Sequence, residues 1–334
     1  MSSNTVDVAV LGAGSWGTAL AVHMSDNGHR VRLWTRRAQH ARAMRDHREN
    51  QQYLRGQALP PQLFPTSDLA EALSGAEYVL SVIPSQHTRE AWLQGREHLP
   101  SGVPVLCASK GVERGTLNLM SQVLSEVLPG HPTGFVGGPS FAREVAGHLP
   151  TTIVIGSSDD DMARTAQRLM SCAWMRAYVS HDVVGVELGG ALKNVVAIAC
   201  GISDGLGLGA NARAGLITRG LAEISRLAVK MGADPLTLAG LAGMGDLVLT
   251  CTGDLSRNRR VGLALGAGRK LDEILAEMGE VAEGVETTLS ASQLAEREGI
   301  EMPIVEQVRA VIYDGKAAAE AVGALMGREL KRER

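Results

Sequence analysis

The sequence predicts an α/β protein in which an N-terminal doubly wound, mostly parallel sheet is followed by an all-helical C-terminal domain. Three observations predict it. Short β-branched runs alternate with amphipathic segments over the first half, the pattern of βαβ units. Strand signals stop near Asp182, and Ala, Leu, Glu, Lys and Arg then recur at helical spacing to the C-terminus. The length of 334 residues, 45% hydrophobic and 21% charged, favours two cores over one. We place the boundary near Ser180, which gives domains of residues 1–180 and 181–334.

Taken in order, the strands are expected at 6–11, 31–35, 78–83, 105–109, 134–136 and 152–155. Helices are expected at 18–27, 37–48, 68–73, 86–98, 117–128 and 160–172, read from period and from Ser, Thr or Asp starts. In the second half, glycine and proline breaks fall at 205–209, 232–235, 266–268, 279–284 and 299–303. The charged tail, 328–334, reads as solvated.

Composition excludes several function classes. A net charge of −3 creates no global field toward nucleic acid or an anionic membrane, so any bound anion must be held locally. The four cysteines, Cys107, Cys172, Cys200 and Cys251, lie far apart with no CxxC pair, which argues against a disulfide framework and a zinc site, and no metal is expected. The longest apolar stretch, 183–202, is interrupted by Glu187 and Lys193 and reads as a buried helix rather than a membrane span. The polar start, 1–7, leaves no room for a signal peptide, so a cytoplasmic location is expected.

The first strand ends in Gly12-Ala13-Gly14-Ser15-Trp16-Gly17, and a helix follows at once. That context gives a GxGxxG its meaning as a Rossmann dinucleotide fingerprint. Gly12 permits the tight turn, Gly14 lets the backbone approach a pyrophosphate, and Gly17 lets helix and strand pack closely. The helix N-terminus adds free N–H groups and partial positive charge. At the end of the second strand, where an NAD-specific protein carries an acid for the ribose 2′-hydroxyl, the chain reads Trp34-Thr35-Arg36-Arg37. Two guanidiniums there can pair with a 2′-phosphate, so NADP is expected to be accepted alongside NAD.

In the helical half, Glu187-Leu188-Gly189-Gly190-Ala191-Leu192-Lys193-Asn194 puts one lysine into an otherwise apolar helix, with two glycines one turn back. Desolvation there would favour proton exchange near neutrality, as a proton donor to a carbonyl oxygen requires. Lys110, in Ser109-Lys110-Gly111-Val112-Glu113, and Gly138 with Ser140, in Gly137-Gly138-Pro139-Ser140-Phe141-Ala142, both follow strands on the edge where open α/β sheets bind ligands. Farther on, Gly243-Met244-Gly245-Asp246 precedes Ser256-Arg257-Asn258, where a hydroxyl, a guanidinium and an amide gather at a helix start as a phosphate cradle or as a plain N-cap.

These segments, with Asp204-Gly205-Leu206-Gly207 and the stretch Val281-Ala282-Glu283, resemble bacterial-type NAD(P)-dependent sn-glycerol-3-phosphate dehydrogenases along nearly the whole chain. The resemblance implies reversible reduction of dihydroxyacetone phosphate to sn-glycerol 3-phosphate, supplying the glycerol phosphate backbone of phospholipids. It implies that Lys193 exchanges the proton at the substrate oxygen; in the mechanism we expect, Lys110 would supply positive charge to the developing oxyanion and Asp246 would orient the substrate hydroxyl or Lys193. Ser15, Trp16, Arg36, Arg37, Lys110, Ala142, Arg257, Val281 and Glu283 would contact the dinucleotide. Lys110, Gly138, Ser140, Lys193, Asp246, Ser256, Arg257 and Asn258 would contact the glycerol phosphate. A homodimer is typical of such proteins. Two other readings stay open from the residues alone: a reductase of 2-keto or 3-hydroxy acids, and a non-catalytic dinucleotide sensor.

Overall fold

A computed structural model describes residues 5–278, 282–330 and 332. The chain divides into two compact units, Met1–Glu187 and Leu188–Arg334. In the first, one sheet contains β1 (Asp7–Leu11), β2 (Arg30–Trp34), β3 (Leu63–Thr66), β4 (Tyr78–Ser81), β5 (Val105–Cys107), β6 (Thr133–Gly137), β7 (Thr151–Gly156) and β8 (Met175–Ser180). Their spatial order is β3-β2-β1-β4-β5-β6-β7-β8. All neighbours pair in parallel except β6 with β7.

Central strands read as largely apolar runs because helices cover both faces: β4 and β5 are buried at every position, with Ser81 at the end of β4 as their one hydroxyl besides Tyr78. The two strands that the sequence did not announce, β3 and β8, lie at the sheet's edges. β3 reads Leu-Phe-Pro-Thr, and Pro65 can sit there because an edge strand has no second neighbour awaiting its N–H. β8 alternates buried Met175 and Ala177 with exposed Arg176 and Tyr178, a half-solvated pattern that lacks the apolar run of the interior strands.

Helix boundaries differ from expectation where backbone geometry intervenes. The first helix starts at Ser15, directly after Gly14, rather than at Thr18. The helix expected from Leu117 begins only at Met120, because Leu117 holds a left-handed φ of 58°. The breaks expected at 205–209, 232–235, 266–268 and 299–303 all fall at helix ends; of the break at 279–284, residues 279–281 lie outside the described residues, and a helix begins at Glu283.

The division between the units falls inside the helix Val183–Gly205, past the Ser180 drawn from sequence. Its first turn packs on the sheet: a Cβ added to Gly156 would stand 3.2 Å from the Val186 side chain. Glu187, in the same turn, accepts a hydrogen bond of 2.9 Å from the Ser121 N–H and thereby caps the helix Met120–Val127. The remainder of this apolar helix is a core element of the helical unit, with Leu188, Leu192, Val195, Ala197, Ile198 and Cys200 buried.

Burial pushes the Glu187 carboxyl up to about 7, against the lowering effect of its hydrogen bonds from Ser121 and Met120. In the helical unit burial likewise pushes Glu223 up to about 7, where it caps the helix Pro303–Tyr313 through the Ile304 N–H at 2.9 Å. For a carboxyl raised on folding, the folded state binds more protons than the unfolded one between the two pKa values. Its contribution is therefore full below about 4.5 and lost as pH rises through about 7, each group accounting for on the order of 3 kcal/mol. Urea midpoints should thus fall between pH 5 and pH 8, and Glu187→Gln should flatten that fall. An unchanged pH slope in the variant would rule out the titration.

Within the helical unit, Val183–Gly205 crosses the helix Arg257–Gly266 at backbone contact. A Cβ on Gly201 would stand 2.1 Å from the Arg259 carbonyl oxygen, and one on Gly262 the same distance from that of Ile198. Gly205 and Gly266 complete the contact, with added Cβ atoms 2.3 Å from the Leu263 oxygen and 2.4 Å from the Ile202 oxygen. Only glycine permits so close a crossing.

Candidate active site

The strand order β3-β2-β1-β4-β5-β6 reverses direction between β1 and β4, the switch point at whose carboxyl ends open α/β sheets bind their ligands. The glycine turn follows β1 at that point. Gly12 has φ +115°, and an added Cβ would lie 2.4 Å from the Val82 carbonyl oxygen; on Gly17 it would lie 1.8 Å from the Gly12 oxygen. At Gly14, by contrast, a Cβ would meet nothing within 4 Å. Two glycines are thus required by the protein's own packing, whereas the third keeps an open space beside the backbone. The helix Ser15–Asp26 begins at Gly14 without a side-chain cap or an acid in its first turn, so its leading N–H groups carry positive potential toward that space. Trp16 packs on the core with its indole Nε1 buried and without a hydrogen-bond partner. A diphosphate fits this cradle.

Beyond β2, Thr35 is buried and Arg36 and Arg37 are exposed. Arg37 Nη2 donates to the Gln52 side-chain oxygen at 2.7 Å and to the Tyr53 hydroxyl at 3.1 Å. Lys110 stands half-buried after β5, and Ser109 donates to the Ile83 carbonyl. After β6, Gly138 takes φ +98°, and the Ser140 hydroxyl donates back to its carbonyl at 3.1 Å. Ala142 is the first residue of a short helix, Ala142–Ala146. Because β1, β2, β5 and β6 are parallel, all these turns share one sheet edge.

In the helical unit the buried lysine has a built environment. Lys193 Nζ donates to Asp246 Oδ1 at 2.5 Å and to the Thr250 hydroxyl at 2.8 Å, and Thr250 in turn donates to the Asp246 carbonyl at 2.6 Å. Lys193 is 7% exposed and Asp246 1%. Glycines make the meeting possible. A Cβ on Gly189 would stand 2.6 Å from the Ala242 oxygen, so the π-helical turn Leu241–Gly245 can lie directly on the lysine's helix and set Asp246 at its ammonium. The sequence reading expected burial alone to govern this lysine. The structure adds a buried carboxylate and a hydroxyl within hydrogen-bond distance of its nitrogen.

Ser256 is the N-cap of the helix Arg257–Gly266, its hydroxyl accepting from the Arg259 N–H at 3.2 Å. Asn258 donates to Asn194 Oδ1 at 2.9 Å and accepts from the Gly284 N–H at 2.9 Å. It stitches together three helices. Asp204 anchors the same helix from the side, accepting from Arg259 Nε at 2.9 Å and from Arg213 Nη1 at 3.0 Å. Glu283 opens the helix Glu283–Glu298, whereas Val281 lies outside the described residues.

Comparison with known proteins settles the family. The family described as NAD-dependent glycerol-3-phosphate dehydrogenase N-terminus matches residues 7–163, and its C-terminus counterpart matches 182–323. A relative from Citrifermentans bemidjiense, named NAD(P)+ glycerol-3-phosphate dehydrogenase, is 54% identical over 98% of this chain and 98% of its own. One of the same name from Syntrophotalea carbinolica is 52% identical over 98% of this chain and 99% of its own. The crystal structure of glycerol-3-phosphate dehydrogenase from Coxiella burnetii superposes with a TM-score of 0.95 at 40% identity, covering 97% of this chain and 99% of that one. The chain belongs to the NAD-dependent glycerol-3-phosphate dehydrogenase family.

For a member of the glycerol-3-phosphate dehydrogenases, the expected residues fall into two groups, one on each unit. Gly12, Gly14, Ser15, Trp16, Gly17, Arg36, Arg37, Lys110, Gly138, Ser140 and Ala142 gather on the sheet edge. In the helical unit, Lys193 and Asp246 are in contact, and Ser256, Arg257 and Asn258 occupy one helix start. Sequence reasoning missed Thr250, although its place four residues after Asp246, one helical turn on, was a usable signal. It also missed Asn50 and His40, which lie under the glycine turn.

Proposed function

We propose that this protein reduces dihydroxyacetone phosphate to sn-glycerol 3-phosphate, reversibly, with NADPH or NADH. The observation that carries the reading is the buried ammonium of Lys193, held at 2.5 Å by Asp246 and 2.8 Å by Thr250. When bound, the nucleotide supplies the hydride that the ketone carbon receives. The first unit's glycine turn, uncapped helix start and Arg36–Arg37 pair suit its pyrophosphate and its adenosine ribose, with or without a 2′-phosphate.

Lys193 donates a proton to the carbonyl oxygen as it becomes an alkoxide. Asp246 and Thr250 fix the direction of that proton, and the carboxylate balances the ammonium before transfer. Lys110 adds positive charge toward the developing oxyanion. Ser256, Arg257 and Asn258 hold the substrate phosphate, with the Arg257 guanidinium as its charged partner. Binding energy from the phosphate end then positions the reacting carbon. A cytoplasmic homodimer feeding phospholipid synthesis belongs to the same proposal and rests on the family likeness.

Following nucleotide absorbance with dihydroxyacetone phosphate, with NADH and NADPH in parallel, tests the reading. Turnover with either nucleotide is expected. Oxidation of neither would overturn the substrate assignment, and turnover of a 2-keto acid in its place would favour the other reductase class.

A further inference from the structure

Beneath the glycine turn lies a polar chain that the reaction itself does not use. Asn50 is fully buried, with no exposed surface. Its amide nitrogen donates to the Ala13 carbonyl at 3.0 Å and to the Thr18 hydroxyl at 2.7 Å, joining the fingerprint loop to its helix. Its amide oxygen accepts from the Tyr53 N–H at 3.2 Å and bonds His40 Nε2 at 3.0 Å. Because the Ala13 carbonyl can only accept and the Tyr53 N–H can only donate, the amide has one possible orientation. His40 Nε2 must therefore carry a hydrogen, and in the neutral ring that burial favours Nδ1 accepts from the Thr35 hydroxyl at 3.1 Å.

Every link is thus fixed: Ala13, Asn50, His40, Thr35, and next in the chain Arg36. A second branch runs from Asn50 through Tyr53, whose hydroxyl receives Arg37 Nη2 at 3.1 Å, while Gln52 receives the same nitrogen at 2.7 Å. Those two bonds use both Nη2 hydrogens and leave Nε and Nη1 for a ligand. One end of this network is the loop that faces a pyrophosphate, and the other is the pair of guanidiniums.

We propose that Asn50 is a positioning residue that holds the pyrophosphate turn and the arginine turn at one fixed separation, and so sets selectivity for a nucleotide carrying a 2′-phosphate. The inference rests on reading the first unit as a nucleotide site. A 2′-phosphorylated dinucleotide is gripped at two anionic points, so its affinity depends on their separation. A nucleotide with a free 2′-hydroxyl is gripped at one and depends on it little.

Dissociation constants for NADPH and NADH, measured by titration calorimetry on the full chain, test this. Asn50→Ala should weaken NADPH about tenfold or more and NADH by less than about threefold. In an Arg36→Ala, Arg37→Ala background the differential effect should vanish, because both guanidiniums through which Asn50 acts are gone. Equal weakening of both nucleotides, or the same differential in both backgrounds, would show a merely structural asparagine. Should Asn50→Ala fail to fold, Thr35→Val cuts the chain between His40 and Arg36 without touching the glycine turn. It should shift the NADPH-to-NADH ratio in the same direction, and an unchanged ratio would overturn the proposal. If the unaltered protein binds neither nucleotide, the reading of the site falls as well, a result distinct from equal weakening.

Discussion

Lys193→Ala should lower kcat for dihydroxyacetone phosphate reduction by about three orders of magnitude, with nucleotide affinity nearly unchanged. The size follows from two losses at one atom: the proton donor disappears, and so does the positive charge nearest the forming alkoxide. The substitution has a second consequence that could be mistaken for the first. It leaves Asp246, 1% exposed, as a buried carboxylate without its cation, at a stability cost of about 3–5 kcal/mol. The double variant Lys193→Ala, Asp246→Asn separates the two. Its thermal midpoint should recover most of the loss, while turnover should stay low. If activity returned together with stability, Lys193 would be a structural cation and the proton would come from elsewhere. A non-catalytic nucleotide sensor predicts no change of function in either variant.

The second large effect is expected at Gly14. A Cβ there meets no protein atom within 4 Å, and the residue's φ of −75° suits alanine, so Gly14→Ala should fold with an unaltered melting temperature. The methyl group would nevertheless occupy the space in which a pyrophosphate must touch the backbone. We expect NADPH and NADH each to bind about 100-fold more weakly, equivalent to about 2.7 kcal/mol. Gly17→Ala supplies the contrast. Its Cβ would lie 1.8 Å from the Gly12 oxygen, so the turn itself must open, and stability and nucleotide binding should fall together. Normal nucleotide affinity in Gly14→Ala would place the diphosphate somewhere other than this turn.

How much of this was legible in the sequence depended on whether a feature leaves its signal along the chain or across it. The interior strands announced themselves because burial on both faces favours apolar runs, as in Tyr78-Val79-Leu80 of β4 and Val105-Leu106-Cys107 of β5. The edge strands did not: Pro65 interrupts one, and the other alternates with solvent. The fingerprint glycines were readable because each obeys a local steric demand. Lys193 stood out as a charge in an apolar helix, but the carboxylate that meets it lies 53 positions on, and only folding brings the two together. Asn50 had no local signal at all, since its importance comes from partners 32 and 37 positions away and from His40. The Ser256-Arg257-Asn258 triplet was legible as a helix start, whereas the commitment of Asn258 to Asn194 and Gly284 was not.

The four-glycine crossing of Val183–Gly205 with Arg257–Gly266 has a mechanical consequence. Where side chains interleave between helices, small rotamer changes let one helix slide past the other by fractions of an ångström. Here carbonyl oxygens rest on α-carbons, so no compliant layer exists, and sliding would require the pair to part before it could reseat a full turn away. Any motion must therefore carry the lysine-bearing helix and the Ser256-capped helix as one rigid strut, which would keep the proposed proton donor and the proposed phosphate grip at one spacing throughout a catalytic cycle.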